Sequence, residues 1–130
     1  MRIGEAAERS GITAKAIRYY EQIGLIHPPA RADSNYRAYS ERDVHILKFI
    51  ERARGLGFTL AECRVLLALY EDRTRASADV KAIALKHLDD IDAKIRELQS
   101  MRRTIERLAN ACHGNERPDC PILDELAREV

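Results

Sequence analysis

Hydrophobic residues recur at helical spacing along most of the chain, and turn-forming residues divide this pattern into segments. Residues 3–10 form the first predicted helix, which ends at Gly11 because glycine readily adopts the left-handed conformation of a tight turn. Thr13 is placed to cap a second helix that runs to about Gln22. Since Gly11 and Ile17 have the spacing of the turn and crossing positions of a helix-turn-helix, we expect these two helices to cross closely.

A segment rich in proline, tyrosine and arginine follows the second helix. Residues 27–39 contain paired prolines, an Asp-Ser-Asn turn and closely spaced Tyr and Arg. This composition predicts a hairpin, or wing, and an ordinary surface loop is the alternative. The basic and aromatic residues directly behind a candidate recognition helix favour the wing.

Two further helices are predicted after the wing. Residues 40–54 begin a helix at Ser-Glu-Arg-Asp and carry apolar residues at helical spacing. Thr59 and Glu62 form a capping box for a helix that runs to about Tyr70. Cys63 falls within this helix near leucines, which predicts a small buried hydrophobic residue rather than a reactive group.

Residues 77–111 form the longest uninterrupted predicted element, and they contain neither Gly nor Pro. A helix of roughly 35 residues would span about 50 Å, which is too long to pack wholly on a domain of this size. It carries an apolar stripe with coiled-coil-like spacing. The stripe therefore needs a partner helix, and a second copy of the chain is the simplest source. The stripe consists of Leu88, Ile91, Ile95, Leu98, Met101, Ile105 and Leu108.

Two cysteines, Cys112 and Cys120, bracket a polar loop near the end of the chain. Cys112 continues the apolar spacing of the long helix. After the loop, residues 121–129 predict a short helix whose apolar residues are placed to fold the loop back onto the dimer. Two thiols at this spacing suit a metal ion that accepts two ligands, whereas most metal sites need three or four.

Composition narrows the class of protein. The chain has 130 residues, of which 45% are hydrophobic and 5% aromatic, with no Trp, so we expect dimerisation to help it bury enough apolar surface. The net charge is only +1, but residues 1–54 carry ten Lys and Arg against seven Asp and Glu. This excess is weak evidence for nucleic-acid binding at the front of the chain.

The sequence predicts a cytoplasmic protein that is neither membrane-bound nor an enzyme. It has no 18-residue apolar run, and its first residues lack the apolar stretch of a signal peptide. In a reducing compartment, three cysteines favour metal or redox chemistry over a structural disulfide. Catalytic triads, phosphate-binding loops and paired carboxylates do not stand out.

The exposed face of the second helix is the candidate DNA-reading surface. An arginine there can form a forked pair of hydrogen bonds to guanine, while lysine and tyrosine can reach phosphate or sugar. A solvated charged face is the alternative, and the combination of this helix with a wing and a dimerisation helix favours DNA binding. The predicted contacts on the helix are Thr13, Lys15, Arg18 and Tyr19. Backbone contacts are predicted from Arg31, Asn35, Tyr36, Arg37 and Arg54.

Three sequence blocks together resemble the MerR family of transcription regulators, and the resemblance covers essentially the full length. They are residues 12–21 (ITAKAIRYYE), 35–39 (NYRAY) and 54–58 (RGLGF). Within the family, the later part of the chain resembles the copper-efflux branch. The blocks that carry this second likeness are residues 77–81 (SADVK), 97–102 (ELQSMR), 109–112 (ANAC) and 119–122 (DCPI).

The resemblance implies a mainly α fold in three parts. These are a winged helix-turn-helix DNA-binding domain with a second helical pair in residues 1–75, a dimerisation helix in residues 76–111 that forms an antiparallel coiled coil, and a metal-binding loop with a short helix in residues 112–130. It also implies a homodimer that binds double-stranded promoter DNA with an overlong spacer. Such a dimer bends and untwists the spacer, so that bacterial RNA polymerase engages both promoter elements in the metal-bound state. DNA bending commonly costs a few kcal/mol.

The loop chemistry favours a soft monovalent ion. Thiolates of Cys112 and Cys120 select Cu(I), and Ag(I) and Au(I) behave alike. Two thiolates and one such ion leave one net negative charge, which a helix N-terminus can accept. The resemblance implies that the partner subunit's Ser77 covers the loop. Relatives that respond to divalent ions carry a cysteine at this position, so serine argues for a +1 ion.

Other roles for the loop remain open. His113 could add a nitrogen ligand, although its adjacency to Cys112 makes convergence on one ion awkward. The alternatives to a Cu(I) sensor are a divalent-metal sensor and a redox switch that forms a Cys112–Cys120 disulfide. The chain lacks the clustered cysteines expected of an iron–sulfur sensor and the large C-terminal domain expected of a drug sensor. The loop offers three ligands at most, whereas a structural zinc site needs four.

Overall fold

The computed structural model describes residues 1–30 and 38–129 and is mainly α-helical. Within these ranges there is no β-strand. The helices are α1 (Ile3–Ser10), α2 (Ala14–Gln22), α3 (Glu41–Gly55), α4 (Leu60–Glu71), α5 (Ser77–Ala111) and α6 (Pro121–Leu126).

Helices α1 and α2 form the predicted helix-turn-helix. Gly11 ends α1 with a φ of 79° and donates its N–H to the Ala7 carbonyl at 3.0 Å. Thr13 precedes α2, and its hydroxyl accepts the Ala16 N–H at 3.1 Å. Ile17 is fully buried where the two helices pack. The turn, the cap and the crossing residue are therefore confirmed.

A first core cluster holds α2 against α1 and α3. Burial of a large aliphatic side chain stabilises the fold by about 1.5–3 kcal/mol, so these residues fix the position of the recognition helix. Helix α1 packs on both α2 and α3. The buried members are Ala6, Ile12, Ile17, Tyr39, Val44 and Leu47.

Capping boxes start both α3 and α4. Ser40 and Asp43 exchange hydrogen bonds of 2.8 and 3.1 Å, and Thr59 and Glu62 exchange bonds of 2.9 and 3.1 Å. Each box satisfies N–H groups that the first turn of a helix leaves without intrahelical partners. The capping box predicted at Thr59 is confirmed, as is the predicted helix start at residues 40–43, where the structure adds a second capping box.

A second core cluster lies between α3 and α4. Cys63 belongs to it and has a relative exposure of 0%, which confirms that it is a small buried residue. The buried members are Leu25, Ile50, Ala53, Cys63 and Leu67. Because Leu25 follows α2, this cluster also anchors the chain that leaves the recognition helix.

The chain divides into two compact units, the first comprising Met1–Val80 and the second beginning at Lys81. Helix α5 runs without interruption over the predicted residues 77–111. The centre of its apolar stripe is exposed, with relative exposures of 46% for Ile95, 60% for Leu98 and 63% for Ile105. These side chains have no covering partner within the described part of a single copy.

Helix α6 is shorter than predicted. It ends at Leu126, where Ala127 takes the capping position and donates its N–H to the Leu123 carbonyl at 2.9 Å. The prediction extended the helix to residue 129 and was wrong there, because the exposed Arg128 and Glu129 add no apolar packing. Leu123 and Leu126 are 62% and 77% exposed.

None of the helices in the described ranges has an apolar stretch long enough to span a bilayer.

Candidate functional site

The outward face of α2 carries the predicted DNA-reading side chains. Lys15, Arg18 and Tyr19 are all exposed, whereas Ile17 on the same helix is fully buried. Thr13 is exposed at the helix start, with its hydroxyl engaged in the cap. The helix thus presents Lys15 and Arg18 to solvent while its apolar face holds it to the domain.

Four predicted contacts lie outside the described residues. They are Arg31, Asn35, Tyr36 and Arg37, which belong to the predicted wing. The residues on either side of this segment are joined by a hydrogen bond, in which the Ala38 N–H donates to the Ala30 carbonyl at 3.0 Å. Tyr39 follows and is buried in the first core cluster.

A buried polar pair joins α2 to the chain that enters α3. The Tyr39 hydroxyl donates to Glu21 Oε1 at 2.5 Å, and the two residues are 3% and 7% exposed. Glu21 lies in the block of residues 12–21 and Tyr39 in the block of residues 35–39, but neither block predicts that the two side chains pair. The contact spans 18 residues, and no local spacing signals it.

Arg54 lies in the last turn of α3 and is hydrogen-bonded to the chain that follows the helix. Its Nη1 donates to the Phe58 carbonyl at 2.9 Å, and the residue is exposed. A guanidinium has five N–H donors, so this bond orients the group without exhausting it. The predicted phosphate contact by Arg54 is compatible with this geometry.

The two loop cysteines lie at the junctions between helices and loop. Cys112 directly follows α5, and its N–H donates to the Leu108 and Ala109 carbonyls at 3.1 and 3.2 Å. Cys120 precedes α6, and its carbonyl accepts the Asp124 N–H at 3.0 Å. Both residues are half-buried free thiols.

The loop between the cysteines is exposed throughout. Gly114 has a φ of 64°, and the Asn115 side chain accepts the Arg117 N–H at 2.9 Å, which forms a local turn. His113 is exposed. The loop therefore offers two partly sheltered soft donors at its ends, and this donor set fits a soft metal ion.

Ser77, the remaining predicted residue of the metal site, is the first residue of α5 and is exposed. It belongs to the first compact unit, whereas both cysteines belong to the second.

A helix-turn-helix with a basic outward face, followed by a long helix with an uncovered apolar stripe, defines a DNA-binding transcription regulator. Two family models agree: "MerR HTH family regulatory protein" matches residues 1–69, and "MerR, DNA binding" matches residues 44–108. The chain belongs to the MerR family of transcription regulators, a non-enzymatic family.

Relatives and solved structures are similar over nearly the whole chain. The HTH-type transcriptional regulator HmrR of Rhizobium leguminosarum bv. viciae is 63% identical over 98% of both chains. The heavy metal-dependent transcription regulator 2 of Rhizobium meliloti is 55% identical over 98% of this chain and 86% of its own length. The crystal structure of PbrR691 from Ralstonia metallidurans in complex with lead(II) has a TM-score of 0.82 and 34% identity, covering 98% of this chain and 99% of that one.

Proposed function

We propose that the protein is a metal-responsive activator whose effector is Cu(I), or the similar ions Ag(I) and Au(I), held by Cys112 and Cys120. The observation that carries the proposal is the pair of half-buried free thiols at the two ends of an otherwise exposed loop. Metal dependence is also named for a relative 55% identical to this chain.

The donor set favours a soft ion of low coordination number. Thiolates are the ligands that Cu(I) prefers, and two of them suffice for linear coordination. When bound, the ion would supply a positive charge that keeps both sulfurs deprotonated and links the end of α5 to the start of α6. His113 carries the only imidazole between the two cysteines.

The charge of the ion is inferred from Ser77. By the resemblance to the copper-efflux branch, this position faces the loop across the dimer, and divalent-metal sensors carry a third thiolate there. A neutral hydroxyl gives no such charge, so the site matches a +1 ion better than a +2 ion. This step depends on the family likeness.

The response would act through DNA shape. A homodimer bound to promoter DNA would bend and untwist an overlong spacer, so that bacterial RNA polymerase reaches both promoter elements. The target genes would then be those of copper efflux or detoxification. Deformation of the DNA, rather than a new base contact, would be the switched quantity.

The test is run-off transcription with bacterial RNA polymerase from promoter DNA that the protein itself selects from its genome, under reducing conditions. We expect Cu(I) or Ag(I) to raise transcript yield. Cys112→Ser and Cys120→Ser should each abolish the rise while DNA affinity stays unchanged. Cys63→Ala is the matched control, because it removes a thiol elsewhere and should keep the response.

Two outcomes would replace the proposal. Activation by Pb(II), Zn(II) or Hg(II) but not by Cu(I) or Ag(I) would make the protein a divalent-metal sensor, the second candidate, which the lead(II) complex of a 34% identical relative favours. Activation by a metal-free oxidant, with loss of both free thiols, would indicate a redox switch through a Cys112–Cys120 disulfide.

A further inference from the structure

Arg64 on α4 is hydrogen-bonded to the end of the recognition helix. Its Nη1 donates to the Gly24 carbonyl at 2.8 Å, and its Nη2 donates to the Ile23 carbonyl at 2.8 Å. A planar guanidinium suits two successive carbonyls because its N–H groups form a fixed fork. The bonds span 40 and 41 residues of sequence, so they are tertiary contacts.

The carbonyls that Arg64 binds come directly after a closed helix end. Gly24 has a φ of 74° and donates its N–H to the Glu21 carbonyl at 3.1 Å, and Leu25 donates to the Tyr20 carbonyl at 2.9 Å. These two bonds form a Schellman motif, which satisfies carbonyls of the last turn. Arg64 donates to the carbonyls of Ile23 and Gly24, which this motif leaves open. Its positive charge also interacts favourably with the negative end of the helix dipole.

This contact joins two helices that belong to different packed pairs. In the described ranges the closely packed pairs are α1 with α2, α1 with α3, and α3 with α4. Helix α2 packs mainly on α1, and α4 packs on α3, while Tyr20 and Ile23 near the end of α2 also pack against the second core cluster. The guanidinium of Arg64 adds a polar link between the end of the recognition helix and α4, in addition to this apolar packing.

Base reading depends on the orientation of α2 more strongly than phosphate binding does. A forked hydrogen bond from Arg18 to a base edge requires a defined position of the helix in the groove. Phosphate contacts are long-range and electrostatic, and they tolerate small displacements. A helix whose end is released should therefore lose sequence preference before it loses general DNA affinity.

We propose that Arg64 is a positioning residue for sequence readout: by fixing the end of α2 to α4, it sets the angle at which α2 enters the DNA groove. Arg64 acts through the helix and makes no DNA contact of its own. The inference depends on helix-turn-helix DNA binding and is independent of the metal proposed above.

The test uses the full chain without metal and two duplexes of equal length. One is selected by the wild-type protein from a random-sequence library, and the other is its scrambled sequence. Arg64→Met removes both donors and keeps the aliphatic stem. We expect its affinity for the selected duplex to fall by at least about tenfold, while its affinity for the scrambled duplex stays unchanged. The salt slope, which is the slope of the logarithm of the binding constant against the logarithm of the salt concentration, should also stay unchanged. Arg64→Lys keeps one charged donor group and should recover part of the loss.

Arg73→Met is the matched control, since Arg73 is an exposed arginine in the turn after α4, and both affinities should equal those of the wild type. Circular dichroism checks that each variant is folded. If Arg64→Met does not fold, the two affinities are compared for Arg64→Lys instead. An unchanged ratio of the two affinities in the folded variant would overturn the proposal. A salt slope that falls by about 0.9 would overturn it too, because it would make Arg64 a phosphate contact.

Discussion

The three cysteines occupy two kinds of surroundings. Cys63 lies within the second core cluster, and burial raises the pKa of its thiol. Cys112 and Cys120 are half-buried at the ends of an exposed loop. Because the thiolate is both the nucleophile and the metal ligand, access to solvent and to metal favours the loop pair over the buried thiol.

Alkylation of the native protein measures this difference. With reduced, metal-free protein and iodoacetamide near pH 8, we expect Cys112 and Cys120 to react at least about tenfold faster than Cys63, since the latter is buried and reacts only on local opening. Peptide mass spectrometry over time gives the three rates. In urea the rates should become similar, and equal rates in the native protein would contradict the assigned burial.

Single residues were predictable where local sequence dictates their surroundings. Cys63 lies in a helix among leucines, and its burial followed from that spacing. The Glu21–Tyr39 pair and the two bonds of Arg64 were not predicted, because each joins residues distant in sequence. Tertiary geometry, which one sequence does not display, determines them.

Helix boundaries were predictable where a local signal marks them. Thr13, Ser40 and Thr59 each accept the backbone N–H that a capping residue is expected to accept. Such caps are contacts over three residues and are therefore encoded locally. The end of α6 depended on packing beyond Leu126, and the apolar pattern alone extended it too far.

The capping box of α4 allows a quantitative check. Thr59→Ala removes the hydroxyl that accepts the Glu62 N–H, and we expect a loss of about 1 kcal/mol in the free energy of unfolding. Urea unfolding followed by circular dichroism at fixed protein concentration measures it. Thr59→Ser retains the hydroxyl and should stay within about 0.5 kcal/mol of the wild type. A loss as large in the serine variant would assign the effect to the lost methyl group instead.

At the scale of the whole molecule, α5 carries a stripe of large apolar side chains that a single copy leaves exposed. Ile95, Leu98 and Ile105 lie on one side of the helix and are each about half exposed or more. A row of large apolar side chains on a long helix is typical of a coiled-coil seam. The dimer predicted from the sequence would bury this row.

Leu98→Lys should weaken the dimer. In a two-fold dimer the change occurs twice, and each loss of a buried leucine costs about 1.5–3 kcal/mol, so the dissociation constant should rise at least about 100-fold. Sedimentation equilibrium over a range of concentrations measures it. Ser100→Lys, two residues along and hence on the opposite face, is the control and should leave the constant unchanged. Equal effects would place the seam elsewhere.

The mainly helical architecture and the family were both predictable from the sequence. Amphipathic spacing predicts the helices, and the dense motifs identify the family. The identity of the ion was not reachable in the same way. In the proposal it depends on a meeting of Ser77 and the loop in a dimer, and neither spacing nor burial within one copy tests that.

The position of the loop cysteines against the helix ends has a further consequence for the entropy of ligand binding. If the two sulfurs bind one ion as proposed, little backbone freedom would be lost at Cys112 and Cys120, since both backbones are already hydrogen-bonded to turns of α5 and α6. The loop between them then acts as a tether. Doubling the length of a flexible tether costs only about 0.6 kcal/mol, so a longer flexible loop would weaken ligand binding little as long as the two anchored ends are kept.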